Sequence, residues 1–169
     1  MTSNIVLNGK CRGFSLAEVL TVIIMIGILS GGVMLAFGNN TDNAEAAAVL
    51  SELDMAKNAL QGYSMRHRTR LSDGLADLEG RTPAAITASL DQYFDAGSRA
   101  KITSPGNSTH ERFNRIQLQT ISGDLRIGFE SFPASSALQK AIGRKLANAP
   151  AGYIGSSSGS SYTVWLNVK

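Results

Sequence analysis

The chain is 169 residues long and carries 16 Lys and Arg against 13 Asp and Glu, for a formal net charge of +3. That length suits one small domain on an anchor; with Lys10 and Arg12 set aside the charge is nearly balanced, so net charge does not indicate a generally nucleic-acid-binding surface. The lone cysteine, Cys11, excludes an internal disulfide, and its place before the apolar run instead of after it excludes a lipoprotein anchor.

A short basic leader, Lys10-Cys11-Arg12, ends in Gly13-Phe14 and opens a long apolar run. From Phe14 to Phe37 the only ionisable side chain is Glu18. At about 1.5 Å per residue, a helix over this run crosses a hydrocarbon core of about 30 Å. A charge inside a span is costly and marks a functional position by default. A cut between Gly13 and Phe14 would create an α-amine four residues before Glu18. That amine, on this chain or on a neighbour, could neutralise the carboxylate. A secretory signal peptide is the rival reading, but its apolar core runs about 7–15 residues and ends at a small-residue exit, and neither feature fits here. Lys10 and Arg12 precede the span while Asp42, Glu45, Glu52 and Asp54 follow it, which places the leader in the cytoplasm and the rest outside.

Within the run, Gly27-x-x-x-Gly31 either lets a neighbouring helix approach closely or is simply tolerated in a membrane helix. Gly38-Asn39-Asn40-Thr41 interrupts the apolar pattern. Asp42-Asn43-Ala44-Glu45 then reads as a capping box opening a second helical stretch, so a kink or joint is expected at the membrane exit. Val49, Leu53, Ala56, Leu60 and Tyr63 recur at helical spacing, as in a half-buried helix that anchors a head. The stripe stops at Tyr63, which argues against a coiled-coil seam.

Gly74, Gly80 and Pro83 mark a connecting region. Thr82-Pro83 starts a helix whose apolar face is Ile86, Leu90, Tyr93 and Phe94, with Gly97 as its expected end. Ser104-Pro105-Gly106-Asn107 is a turn. Ile116, Leu118 and Thr120 alternate with Gln117 and Gln119, and after Ser122-Gly123-Asp124 the alternation returns at Leu125, Ile127 and Phe129, so a β-hairpin is expected. Ser135 or Ser136 caps a helix carrying Leu138, Ala141, Ile142 and Leu146, which stops near Asn148-Ala149-Pro150. Residues 152–161 read as a Gly/Ser-rich loop, followed by a strand with Tyr162, Val164, Leu166 and Val168 on one face. The fold class is therefore α+β: a long N-terminal helix packed on a small antiparallel sheet with additional short helices.

The Gly13-Phe14 junction, with Glu18 at the mouth of an apolar helix, resembles the N-terminus of type IV prepilins and type II secretion pseudopilins. The likeness is strong from Gly13 to about Phe37 and fades by about Tyr63. It implies that prepilin peptidase cuts between Gly13 and Phe14, that Phe14 becomes the N-methylated terminus, and that Glu18 is the assembly carboxylate. Residues 1–13 would be the leader, 14–37 the transmembrane and assembly helix, 38–70 an amphipathic extension and 71–169 an extracytoplasmic head of pilin-like fold. The implied role is structural and not enzymatic, without a cofactor, in a type IV pilus or a type II secretion filament. Implied partners are the peptidase, other pilin or pseudopilin subunits, the inner-membrane assembly platform and the membrane itself. The implied location is the inner (cytoplasmic) membrane, as a single-pass protein with its head outside the cytoplasm, and then the pilus or periplasmic pseudopilus. The chain departs from the family in having Leu35 where a proline often stands, and in lacking the cysteines that close a C-terminal disulfide loop. Major pseudopilins can hold calcium near the C-terminus, but no such ligand set maps onto this sequence.

Few other constellations carry chemistry. His67 and His110 have no ligand or triad spacing, carboxylates are scattered singly, and no Walker-type phosphate loop occurs. Arg66, Arg68 and Arg70 form the one dense basic patch. Contact with a polyanion, DNA or acidic lipid, is one reading; a cationic helix C-terminus that complements the helix dipole is the preferred one, and nucleic acid is not an expected partner. The alternative function is a minor tip pilin whose head binds DNA or a surface, and a third is a single-span protein that never assembles. Ser156 to Ser161 has the composition of a flexible loop. Tyr153 and Trp165 beside it read as core or edge aromatics, with adhesion as the alternative.

Overall fold

The computed structural model of the chain describes residues 15–67, 75 and 77–168, with the backbone alone for 34–39. Two compact units result, one ending at Gly38 and the other running from Asn39 to Lys169. The first is the apolar half of a 52-residue helix, α1 (Leu16–His67). The second is the head, an α+β unit as expected.

The separate helical start expected at Asp42 is not present, because residues 38–41 are helical within α1. The N–H groups that a capping box at Asp42 would serve belong to the interior of a continuous helix, and Glu45 turns instead toward Arg112, with its Oε1 3.3 Å from Nη1. Beyond that point α1 buries Ala46, Val49, Leu53, Ala56, Leu60 and Tyr63, the apolar stripe of the sequence extended by one turn.

Among the described residues four short α-helices, one 3₁₀ turn and a sheet complete the head. Thr82 caps α2 (Pro83–Leu90), its hydroxyl accepting from the Ala85 N–H at 3.4 Å. A single 3₁₀ turn, Asp91–Tyr93, follows. Gly97 does not end this helix; it lies inside α3 (Ala96–Thr103), where Asp95 accepts from the Gly97 and Ser98 N–H groups and starts a new helix first. After the turn at 104–107, Asn107 caps α4 (Ser108–Phe113), a helix with too few apolar repeats to be read from sequence. Strands β1 (Ile116–Ile121) and β2 (Asp124–Pro133) pair around Ser122-Gly123, both at positive φ, the conformation that a tight hairpin requires. Ser135 caps α5 (Ser136–Ala147) by accepting from the Leu138 N–H at 3.1 Å. The Gly/Ser-rich stretch expected to be a loop is instead a strand, β3 (Tyr153–Ser158), hairpinned to β4 (Ser161–Asn167). Its serines have no strand pattern of their own; pairing with β4 supplies the order.

The sheet is antiparallel throughout, in the order β1-β2-β4-β3. Its inner face carries Ile116, Leu118, Leu125, Ile127, Phe129, Val164 and Leu166, all buried in one core with the α1 stripe. A bulge between Phe129 and Phe132 shifts the β2–β4 register by one residue. Phe129 and Phe132 are three apart and would otherwise face opposite ways; the extra residue resets the alternation, so both are buried, at 0% and 1% exposure.

On the outer face the Trp165 ring lies over Gly128, its cross-strand partner. A Cβ built at Gly128 would stand 2.4 Å from the Val164 carbonyl oxygen and 2.5 Å from Trp165 Cε3. Gly128→Ala is therefore expected to lower the unfolding free energy by about 1–3 kcal/mol, as overpacking does. Denaturant unfolding followed by Trp165 fluorescence checks this, and an unchanged midpoint would show that the two strands separate at no cost.

Candidate processing and assembly segment

Residues Leu16–Val33 form an 18-residue helical window of mean hydropathy 2.2, long and apolar enough to cross a membrane. Among the described residues nothing covers it: Leu20, Ile23, Met25, Ile28 and Leu29 are 57%, 62%, 60%, 70% and 67% exposed. A continuous apolar surface of this kind needs lipid or other helices around it.

The start of the helix is built from a feature absent from the reading of its charge. Ser15 and Glu18 form a reciprocal capping box. The Ser15 backbone N–H donates to Glu18 Oε2 at 2.8 Å, and the Glu18 N–H donates to Ser15 Oγ at 3.3 Å. The signal was present as Ser-x-x-Glu directly before an apolar run. The carboxylate is thus held at the positive end of the helix dipole, and among the described residues its second oxygen, Oε1, has no partner. Glu18 can hold its own helix start and still accept from a cation.

Gly27 and Gly31 lie on the same helix, and a Cβ at either would meet nothing within 4 Å. Nothing among the described residues requires glycine there, so any packing role is toward another helix. Gly13, Phe14, Arg68 and Arg70 lie outside the described residues. Arg66 is exposed in the last turn of α1, where a cation complements the helix C-terminus, and His67 stacks on Tyr63 at 4.2 Å. Among the described residues no group of three or more His, Cys, Asp or Glu could hold a metal ion.

The head holds one buried polar cluster that sequence reasoning missed. Arg112 of α4, 4% exposed, reaches α1 and grips Glu52 through both oxygens, Nε to Oε2 at 2.6 Å and Nη2 to Oε1 at 2.8 Å. Thr109 Oγ1 donates to Glu52 Oε1 at 2.8 Å, and Arg112 Nη2 donates to Ser108 Oγ at 3.3 Å. Burial pulls the guanidinium pKa down, but the hydrogen bonds and charge of Glu52, then of Glu45, outweigh it and leave the net shift upward. The group stays charged, its partners are mutually satisfied, and the cluster is a clamp instead of a reactive centre. Nearby, burial and the hydrogen bond to Asp54 Oδ1 at 2.6 Å push the Tyr153 phenol above its usual range.

Comparison with known proteins bears on the N-terminal segment. The family described as the prokaryotic N-terminal methylation motif matches residues 8–34. The chain is also similar to the type II secretion system core protein G of Escherichia coli (strain K12), 32% identical over 71 residues that cover 41% of this chain and 49% of that protein. The match thus spans about half the length of that relative. No solved structure matches. The capped start of the apolar helix at Ser15 and Glu18 lies within the residues, 8–34, that match the prokaryotic N-terminal methylation motif.

Proposed function

We propose that the protein is a structural subunit, a pilin or pseudopilin, of a type IV pilus or a type II secretion filament. The observation that carries this reading is the uncovered apolar half of α1 with one carboxylate at its start. In this reading prepilin peptidase removes residues 1–13, Phe14 becomes the methylated N-terminus, and residues 14–37 serve first as membrane anchor and then as filament core. Residues 38–70 extend the helix, and 71–169 complete a head outside the cytoplasm. The assembly platform of the inner membrane and neighbouring subunits are the partners. Glu18 Oε2 keeps the helix start closed while Oε1 accepts from the α-amine of an adjacent subunit, a charge-assisted bond in a water-poor setting. The chain is a substrate of processing and does no chemistry itself.

Intact-mass measurement of the protein from its own membrane tests the processing step. A mature chain beginning at Phe14 is expected. Gly13→Val should leave an uncut precursor, because glycine lets the backbone lie close to the protease without a Cβ. A mature chain that starts elsewhere, or efficient cutting of the valine variant, refutes the assignment of the cut.

A further inference from the structure

We propose that the free edge of β3 pairs antiparallel with the same edge of a second copy of this chain. In the β3–β4 ladder Ser158 stands opposite Ser161 beside the turn, and the Asn167 N–H donates to the Gly152 carbonyl at 2.8 Å. That register turns the N–H and C=O of residues 154, 156 and 158 toward β4, and those of Tyr153, Gly155 and Ser157 to the outside. No hydrogen bond among the described residues engages those outward groups. The other edge of the sheet is guarded. The Thr120 N–H of β1, which also points outward, donates to Glu79 Oε1 at 2.6 Å, and the Thr120 hydroxyl donates to Oε2 at 3.2 Å. Among the described residues no carboxylate guards β3 in this way, and the strand holds no lysine, proline or bulge, the devices by which edges refuse other strands.

The edge matches its own copy. Residues 146–168 contain no Asp, Glu, Lys, Arg or His, so two identical edges meet without like charges opposed. A two-fold axis through Gly155 sets Tyr153 opposite the partner's Ser157 and Gly155 opposite the partner's Gly155, and every outward group on both strands then finds a partner. Sliding the strands by two residues either way leaves an outward residue of each unmatched. Leu146 of α5 and Tyr162 leave no room for a Cβ at Gly155, so β3 is braced from its inner side before any partner arrives. A strand edge alone is smaller than a standard interface, so the pairing is expected to be weak and concentration-dependent. An isologous contact closes on itself and makes pairs instead of chains. In the filament reading, on which this consequence rests, pairing would hold unassembled subunits and open as they join the filament.

Disulfide cross-linking of the full chain in detergent micelles tests the pairing, with Cys11→Ser as the background. One preparation carries Ile154→Cys and a differently tagged one carries Ser156→Cys, both at exposed positions. In the expected register residue 154 stands opposite 156 in a non-hydrogen-bonded pair, within disulfide reach, whereas like variants set their cysteines two residues apart along the strands. Mild oxidation of the mixture is expected to give at least about fivefold more mixed dimer than either like-variant dimer. Adding Ser157→Pro to both chains removes an outward N–H, a change an edge strand tolerates, so thermal unfolding of the head should be unchanged while the mixed yield falls to that of the like-variant dimers. Absence of mixed dimer across a concentration series overturns the proposal. Equal yields of mixed and like-variant dimers, or mixed dimer that persists in the proline variant, also overturn it and assign the association to another surface. Neither filament nor membrane is present, so the outcome is separate from the reading of the chain as a filament subunit.

Discussion

Replacing Arg112 with methionine is expected to destabilise the head by about 3–5 kcal/mol, because it leaves the Glu52 carboxylate buried without its cation. Glu52 is 8% exposed and cannot recover the lost bonds from water. The double variant Arg112→Met with Glu52→Leu should recover most of that loss, since two apolar groups of similar size need no partner. Denaturant unfolding of the three proteins forms a cycle that separates the pair from the packing. A loss below about 1 kcal/mol in the single variant would mean that the clamp behaves as an exposed ion pair. The clamp joins α4 to α1 across 60 residues of sequence, so its failure is expected to free the segment around α3 and α4 before the sheet.

The second large effect concerns assembly. Glu18→Val and Glu18→Gln are both expected to insert and to be cut normally, since each removes a charge from the span. Incorporation into filaments with wild-type subunits is expected to fall by roughly tenfold or more in both, the scale of losing one charge-assisted bond away from water. The pair of variants separates two roles of the same carboxylate. Glutamine can still accept from the Ser15 N–H and close the capping box, whereas valine cannot. If glutamine assembles at wild-type levels and valine does not, Glu18 matters for its cap and not for its charge. Copurification of both variants at normal levels would refute the proposed pairing with a neighbour's amine altogether.

Local and periodic features of the head were legible in the sequence because each depends on near neighbours. The α1 stripe, the Thr82-Pro83 start, the Ser122-Gly123 turn and the closing strand all follow from spacing or from one residue's backbone preference. The capping box at Ser15 is equally local, a hydroxyl and a carboxylate three residues apart before an apolar run. The misreadings share another cause. Residues 152–161 look like a loop since Gly and Ser favour no strand, yet β4 offers a row of hydrogen bonds that β3 completes. Residues 38–41 look like a gap between two helices since Gly and Asn are weak helix formers, yet they are helical within α1.

By itself the sequence determined what is written in short range: an apolar run long enough to span a membrane, a single carboxylate at its mouth, a helical stripe and alternating strands. Those follow from hydrophobicity, period and chain direction, which need no knowledge of distant residues. Only the tertiary structure decided which polar groups are buried together. Glu52, Thr109 and Arg112 carry no local sign of burial, and Glu45 reads as a capping-box residue, until α4 folds onto α1. The bulge that turns both Phe129 and Phe132 inward, and the cations of α5 brought beside Asp42, are of the same kind. Each depends on contacts between residues far apart in the chain, and a single sequence carries no local signal of which distant partner will stand opposite.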